Sequence, residues 1–260
     1  MDQSQEGVLA NIIACGYDVG NKDKKSENGE YFIQKINPYV NFIKIFRECT
    51  SLNNENNDSA YLMDEIDGII CNHCCSNEKE NLQKRFPNIA FGCEEGLADK
   101  RIKEHFLTRI FTFADFRAVK ATNSLSELVK FQTKNKFLLK AYEPSMLKKL
   151  GNIVANSENR NIEEVFKLYS QGLYEALSES VDPVNTSEVL LEMKGFFKDY
   201  LTEEEKRLFK DMLESYKNGK IPLSIPRNVL KSWAEKYDNH YLLNQTLFQP
   251  YPSPLMEGIL

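Results

Sequence analysis

The sequence predicts a small N-terminal α/β domain with a short parallel sheet, followed by an all-α helical bundle. Three observations predict this. Short apolar runs alternate with polar segments as far as residue 93, apolar residues recur at helical spacing after Gly96, and all six cysteines lie before residue 94.

The apolar runs over residues 8–14, 40–46 and 66–71 read as strands, with a further strand at 88–91 and a short helix at 78–86. Segments 21–30 and 51–59 are polar and read as loops. Over 99–119, Ile102, Phe106, Ile110, Phe113 and Phe116 fall at helical spacing. Further helices are predicted near 125–141, 144–155, 162–179, 187–200, 203–217, 226–237 and 239–247. Ser124 with Glu127 and Thr202 with Glu205 are capping boxes, Asn161 with Glu164 is a variant, and Pro144 and Pro226 suit a first turn. Apolar stripes such as Leu125, Leu128, Val129 and Phe131, or Leu208, Phe209, Met212 and Leu213, are expected in the bundle core. Tyr142, Tyr169 and Tyr216 fall at the same spacing and read as core rather than as base-stacking groups. Pro250, Pro252 and Pro254 predict an extended tail. The expected organisation is an α/β domain over 1–96, a connecting helix over 97–119 and a helical domain over 120–260.

Residues 1–119 hold 14 basic and 19 acidic side chains, and residues 120–260 hold 19 of each, so neither part has the basic excess of a strong non-specific nucleic-acid binder. Met1–Glu6 has no basic or apolar signal region, and no run approaches the roughly 20 apolar residues of a membrane helix. A soluble, cytoplasmic protein without membrane attachment is expected. The clustering of the cysteines argues against a disulfide framework across the fold.

Cys15, Cys49 and the Cys74–Cys75 pair each follow an apolar run that reads as a strand. Carboxyl ends of parallel strands meet along one edge, so thiolates there would form a metal or cluster site with one position open. Ordinary buried thiols are the competing reading, and Cys71-x-x-Cys74 with His73 and Cys93 offers zinc as another. Arg117, Lys120, Lys130, Lys134, Lys136, Lys140, Lys148 and Lys149 form a basic run suited to RNA phosphates, or simply to a solvated helix face. No Gly-rich phosphate loop and no His-Glu-x-x-His motif occurs.

Several segments resemble the YbgA family of bacterial proteins. They are Lys136–Tyr142, Leu150–Asn156, Gly195–Lys198, Tyr216–Leu223 and Tyr241–Gln245, with Pro250-Tyr251-Pro252 closing the match. In that family the helical domain often follows a domain similar to TudS-type thiouracil desulfidases. Residues 8–117 look like a shortened version of it: Ile13-Ala14-Cys15-Gly16 resembles its first cysteine loop, Glu65–Ile70 the strand leading to its last cysteine, and Glu94–Asp99 with Phe106–Phe111 the join between the two domains. The resemblance implies a 4Fe–4S cluster on Cys15, Cys49 and Cys74 or Cys75, whose open iron would take sulfur from thiolated uracil. It also implies 4-thiouridine in tRNA as substrate and the helical domain as the tRNA-binding part.

The sequence departs from that pattern. The family's Cys-Pro-Glu is Cys49-Thr50-Ser51 here, and its Ser-Pro-Ser-Cys-Gly is Asn72-His73-Cys74-Cys75-Ser76. Family histidines near the first long helix appear as Gln132, Asn135 and Tyr142. Glu48 and Ser76 are the candidates to replace the lost acid and hydroxyl. The alternative expectation is a degenerate, non-catalytic module that binds RNA or a protein.

Overall fold

The computed structural model describes residues 8–15, 32–46, 65–72, 76–86, 88–156 and 158–257. Two compact units divide the chain: Met1–Ala121 with Tyr251–Ile259, and Thr122–Pro250.

The described part of the first unit is built on a parallel sheet of four strands, β1 (Ala10–Cys15), β2 (Val40–Phe46), β3 (Gly68–Cys71) and β4 (Ala90–Cys93), in the order β2-β1-β3-β4. Helix α1 (Phe32–Ile36) precedes β2, and α2 (Ser76–Arg85) joins β3 to β4. Side chains alternate across the strands, so the two faces have different composition. Ile13, Cys15, Ile69 and Cys71 pack on one face with Leu82 of α2, joined by the partly buried Phe86 and Phe91. The opposite face carries small residues where α3 (Lys100–Ala121) approaches. A Cβ on Gly68 would stand 2.7 Å from Ile110, and one on Gly92 would stand 3.1 Å from the Phe106 ring. Phe106, Ile110, Phe113 and Phe116 are buried as expected, whereas Ile102 is 49% exposed in the first turn of the helix, where Asp99 caps the Arg101 and Ile102 N–H groups.

Asn11 is a polar residue in the middle of the sheet and is satisfied there. Its side-chain amide donates to the Glu65 carbonyl, its side-chain oxygen accepts from Asn41, and its N–H donates to Asp67. A buried polar group without such partners would cost free energy.

The second unit is helical: α4 (Leu125–Lys134), α5 (Lys136–Tyr142), α6 (Pro144–Ala155), α7 (Ile162–Ala176), α8 (Pro183–Lys194), α9 (Glu203–Lys217), α10 (Ser224–Lys236) and α11 (His240–Leu243). Thr202 and Glu205 form a full reciprocal capping box, and Ser124 and Asn161 each accept from the residue three positions on. The continuous helix expected over 125–141 is instead broken at Asn135. The Gln245 amide spans the break, accepting from the Phe137 N–H and donating to the Thr133 carbonyl.

The helix expected at 187–200 begins at Pro183, because Asp182 caps it, and ends at Lys194 before a 3-10 turn over Gly195–Phe197. The tail expected to be extended forms a short helix, α12 (Ser253–Glu257), since Pro254 sits in its first turn where no N–H partner is needed. Val129 and Leu208, placed in the core by spacing, are 44% and 48% exposed, so those stripes are narrower than the sequence suggests.

Candidate functional site

The strand order places the topological switch point between β1 and β3, the position where open parallel sheets bind ligands at their carboxyl ends. The β1–β2 pairing shifts register between Ile12 and Ile13, and beyond that irregularity the strand ends align. Cys15 stands opposite Phe46 on one side and Cys71 on the other, and Cys71 stands opposite Cys93. The edge therefore reads Phe46, Cys15, Cys71, Cys93. The ladder continues past the strand ends, with the Asn72 N–H on the Cys15 carbonyl and the Glu94 N–H on the Cys71 carbonyl. Glu94 also fixes α1 by accepting from the Phe32 N–H.

Cys15, Cys71 and Cys93 are thiols rather than disulfides, and Cys15 and Cys71 are fully buried among apolar side chains. Neighbouring strands lie about 4.8 Å apart, so the outer two cysteines of this row are roughly 10 Å apart along the edge. A tetrahedral ion with metal–sulfur bonds of about 2.3 Å needs its thiolates to converge from several directions. Among the described residues no group of three or more His, Cys, Asp or Glu side chains could hold a metal ion. The described thiols do not by themselves make the ligand set of a 4Fe–4S cluster or of zinc. The other expected ligands, Cys49, Cys74 and Cys75, and the expected acid Glu48 lie outside the described residues. Ser76 is the first residue of α2.

The basic run is divided among several roles. Arg117 belongs to the first unit, where it pairs with Asp67 of the sheet. Lys120 is exposed near the end of α3. Lys130 pairs with Glu127, Lys140 with Glu192 and Lys149 with Glu175, while Lys136 lies over the Phe137 ring at 5.1 Å. Lys134 and Lys148 are exposed. Helices α4 and α6 pack together, with the Gln132 amide reaching the Leu147 carbonyl at 3.5 Å. Lys130, Lys134, Lys148 and Lys149 thus sit at the solvent side of two adjoining helices.

The sequence selects Tyr142, Tyr169 and Tyr216 as the tyrosines to weigh for base stacking, and the structure buries all three as expected of core residues. Tyr169 donates to the Gln132 side chain at 2.5 Å, and burial pushes its phenol well above the usual tyrosine range. The accessible aromatics are others: Phe196, Tyr200 and Tyr241 are 43%, 62% and 38% exposed. Their signal in the sequence is a pair of four-residue spacings, Phe196 with Tyr200 and Tyr237 with Tyr241, which core residues of a helix share.

Residues 136–252 match a family described as "Protein of unknown function (DUF1722)". The chain is similar to "Uncharacterized protein YbgA" of Escherichia coli (strain K12), with 24% identity over 155 residues that make up 59% of this chain and 92% of that protein. No solved structure matches. The two matches support a YbgA-like family, and neither description names an activity. No helix among the described residues is long and apolar enough to cross a membrane.

Proposed function

We propose that the chain is a YbgA-like RNA-binding module in which the helical unit holds the RNA and the sheet unit is a scaffold without a catalytic centre. The observation that carries this reading is the contrast between the two candidate sites. Cys15 and Cys71 sit in an apolar layer and Cys93 is half-buried beside them on the edge, whereas Lys130, Lys134, Lys148 and Lys149 stand at the surface of α4 and α6. Exposed ion pairs such as Lys130–Glu127 and Lys149–Glu175 contribute only about 0–1 kcal/mol, so phosphates can take over these lysines at little cost. The test is binding of unmodified tRNA by wild-type protein and by a Lys130→Glu, Lys134→Glu, Lys148→Glu variant. A loss of affinity of about tenfold or more in the variant supports the reading, and equal affinity removes it.

The second reading is an iron–sulfur-dependent desulfidase acting on thiolated uracil, with 4-thiouridine in tRNA as its substrate. Supporting it is the position of Cys15, which ends β1 at the switch point, with Cys49 three residues beyond the end of β2 and Cys74 three beyond the end of β3. Anaerobic reconstitution followed by iron and sulfide analysis tests it. About four irons per chain supports the desulfidase; iron-free protein excludes it.

A further inference from the structure

The segment after α8 turns two aromatic residues outward. Phe197 is fully buried and Leu201 is 6% exposed, so these two, four positions apart, anchor the turn. Phe196 and Tyr200, also four apart, take the opposite side and face solvent. Each meets a tyrosine from the α10–α11 corner. Phe196 stacks on Tyr241 with ring centroids 5.8 Å apart and planes at 29°, and Tyr200 stacks on Tyr237 at 4.7 Å and 24°. The chain makes that corner through Asp238, whose φ is 52°, which leaves Tyr237 and Tyr241 on either side of the turn.

Both stacks are supported from within. Phe137 packs edge-on against Phe196 and Tyr241, and Phe197 packs against Tyr237. Cations accompany both. Lys136 lies over Phe137, Lys236 lies over Tyr237 at 4.9 Å, and Lys198 is exposed between Phe196 and Tyr200 in the chain. Phe137 is buried and Tyr237 half-buried, while Phe196, Tyr200 and Tyr241 stay exposed although each is held by ring contacts. A protein partner would need an apolar surface to cover these rings. Exposed rings at Phe196, Tyr200 and Tyr241, with Lys136, Lys198 and Lys236 next to members of the cluster in the chain, instead match a ligand that alternates flat bases with phosphates.

We propose that Phe196–Tyr241 and Tyr200–Tyr237 form a platform on which unpaired RNA bases stack, with Lys136, Lys198 and Lys236 facing the backbone phosphates. This rests on the RNA-binding reading above and adds to it the form of RNA bound: a single-stranded or looped segment rather than a continuous duplex. Stacking is indifferent to base identity, so recognition at this platform is by unpaired state, not by sequence.

The test measures fluorescence anisotropy of two labelled probes, a short oligouridine and a blunt RNA duplex, with wild-type protein and with Tyr200→Ala, Tyr241→Ala and Tyr200→Phe. Tyr200 is the most exposed of these side chains, so its replacement leaves the core untouched, and thermal melts confirm folding. The expected result is a loss of about tenfold in oligouridine affinity for each alanine variant, unchanged duplex binding, and near wild-type behaviour for Tyr200→Phe. Oligouridine affinity unchanged in both alanine variants overturns the platform while leaving the RNA-binding reading standing. Failure of wild-type protein to bind either probe overturns both.

Discussion

Arg117 grips Asp67 with two hydrogen bonds, from Nε to Oδ1 at 3.3 Å and from Nη2 to Oδ2 at 3.0 Å. The same Nη2 donates to the Leu9 carbonyl, and Asp67 Oδ2 also accepts from the Asn11 N–H. One ion pair thereby fastens α3 to the entrances of β1 and β3. The Asp67 side chain is only 3% exposed, so removing its partner leaves a buried carboxylate uncompensated. Arg117→Ala is expected to lower stability by about 3 kcal/mol in urea unfolding followed by circular dichroism. A loss comparable to that of a surface pair, under about 1 kcal/mol, would contradict this role.

Asp67 also gives the protein a pH dependence. Burial raises its carboxyl above the usual range, against the opposing pull of Arg117 and of the Asn11 N–H. A raised value in the folded state means that folded protein binds this proton more tightly than unfolded protein. The contribution of Asp67 to stability is therefore largest below the ordinary carboxylate pKa of about 3.9 and declines as pH rises through the raised value. Asp67→Asn removes that slope. Denaturant titrations from acidic to neutral pH should show the variant gaining on wild type as pH increases, and a constant gap would disprove the assignment.

The approach of α3 to the sheet depends on Gly68. A methyl group there would stand 2.7 Å from Ile110 Cγ2 and 3.1 Å from Ile12 Cδ1, with the Ala90 carbonyl at 3.3 Å. Ile110 is fully buried and cannot swing aside. Gly68→Ala should cost about 1–3 kcal/mol by overpacking, despite the better strand propensity of alanine. A variant as stable as wild type in thermal melts would show that the helix sits further from the sheet.

Cys15→Ala separates a packing role from a ligand role. In the binding reading Cys15 is one member of an apolar layer, and its loss should cost about 1 kcal/mol and leave tRNA affinity unchanged. Loss of tRNA binding in this variant, with the fold retained, would tie the sheet unit to the function and favour the second reading.

Much of the architecture was legible because its signals are local. The caps at Ser124, Asn161 and Thr202 depend on residues three positions apart, and the strands are short apolar runs. The break at Asn135 was not legible, because the residue that stabilises it, Gln245, is more than a hundred positions away. The same holds for Arg117, which the sequence groups with the lysines of the basic run and which the fold also pairs with Asp67. At the sheet edge, apolar runs locate the strand ends but not their register. Only the pairing reveals that the neighbours of Cys15 are Phe46 and Cys71. Spacing alone likewise cannot separate Tyr169, a core residue, from Tyr200, which projects into solvent.

The most direct measurement is the affinity of the iron-free protein for unmodified tRNA across a series of salt concentrations. Binding without iron that weakens steeply as salt rises, the mark of lysine–phosphate contacts, is the expected result. Binding that appears only after iron and sulfide are loaded, or no binding at low salt, would contradict it.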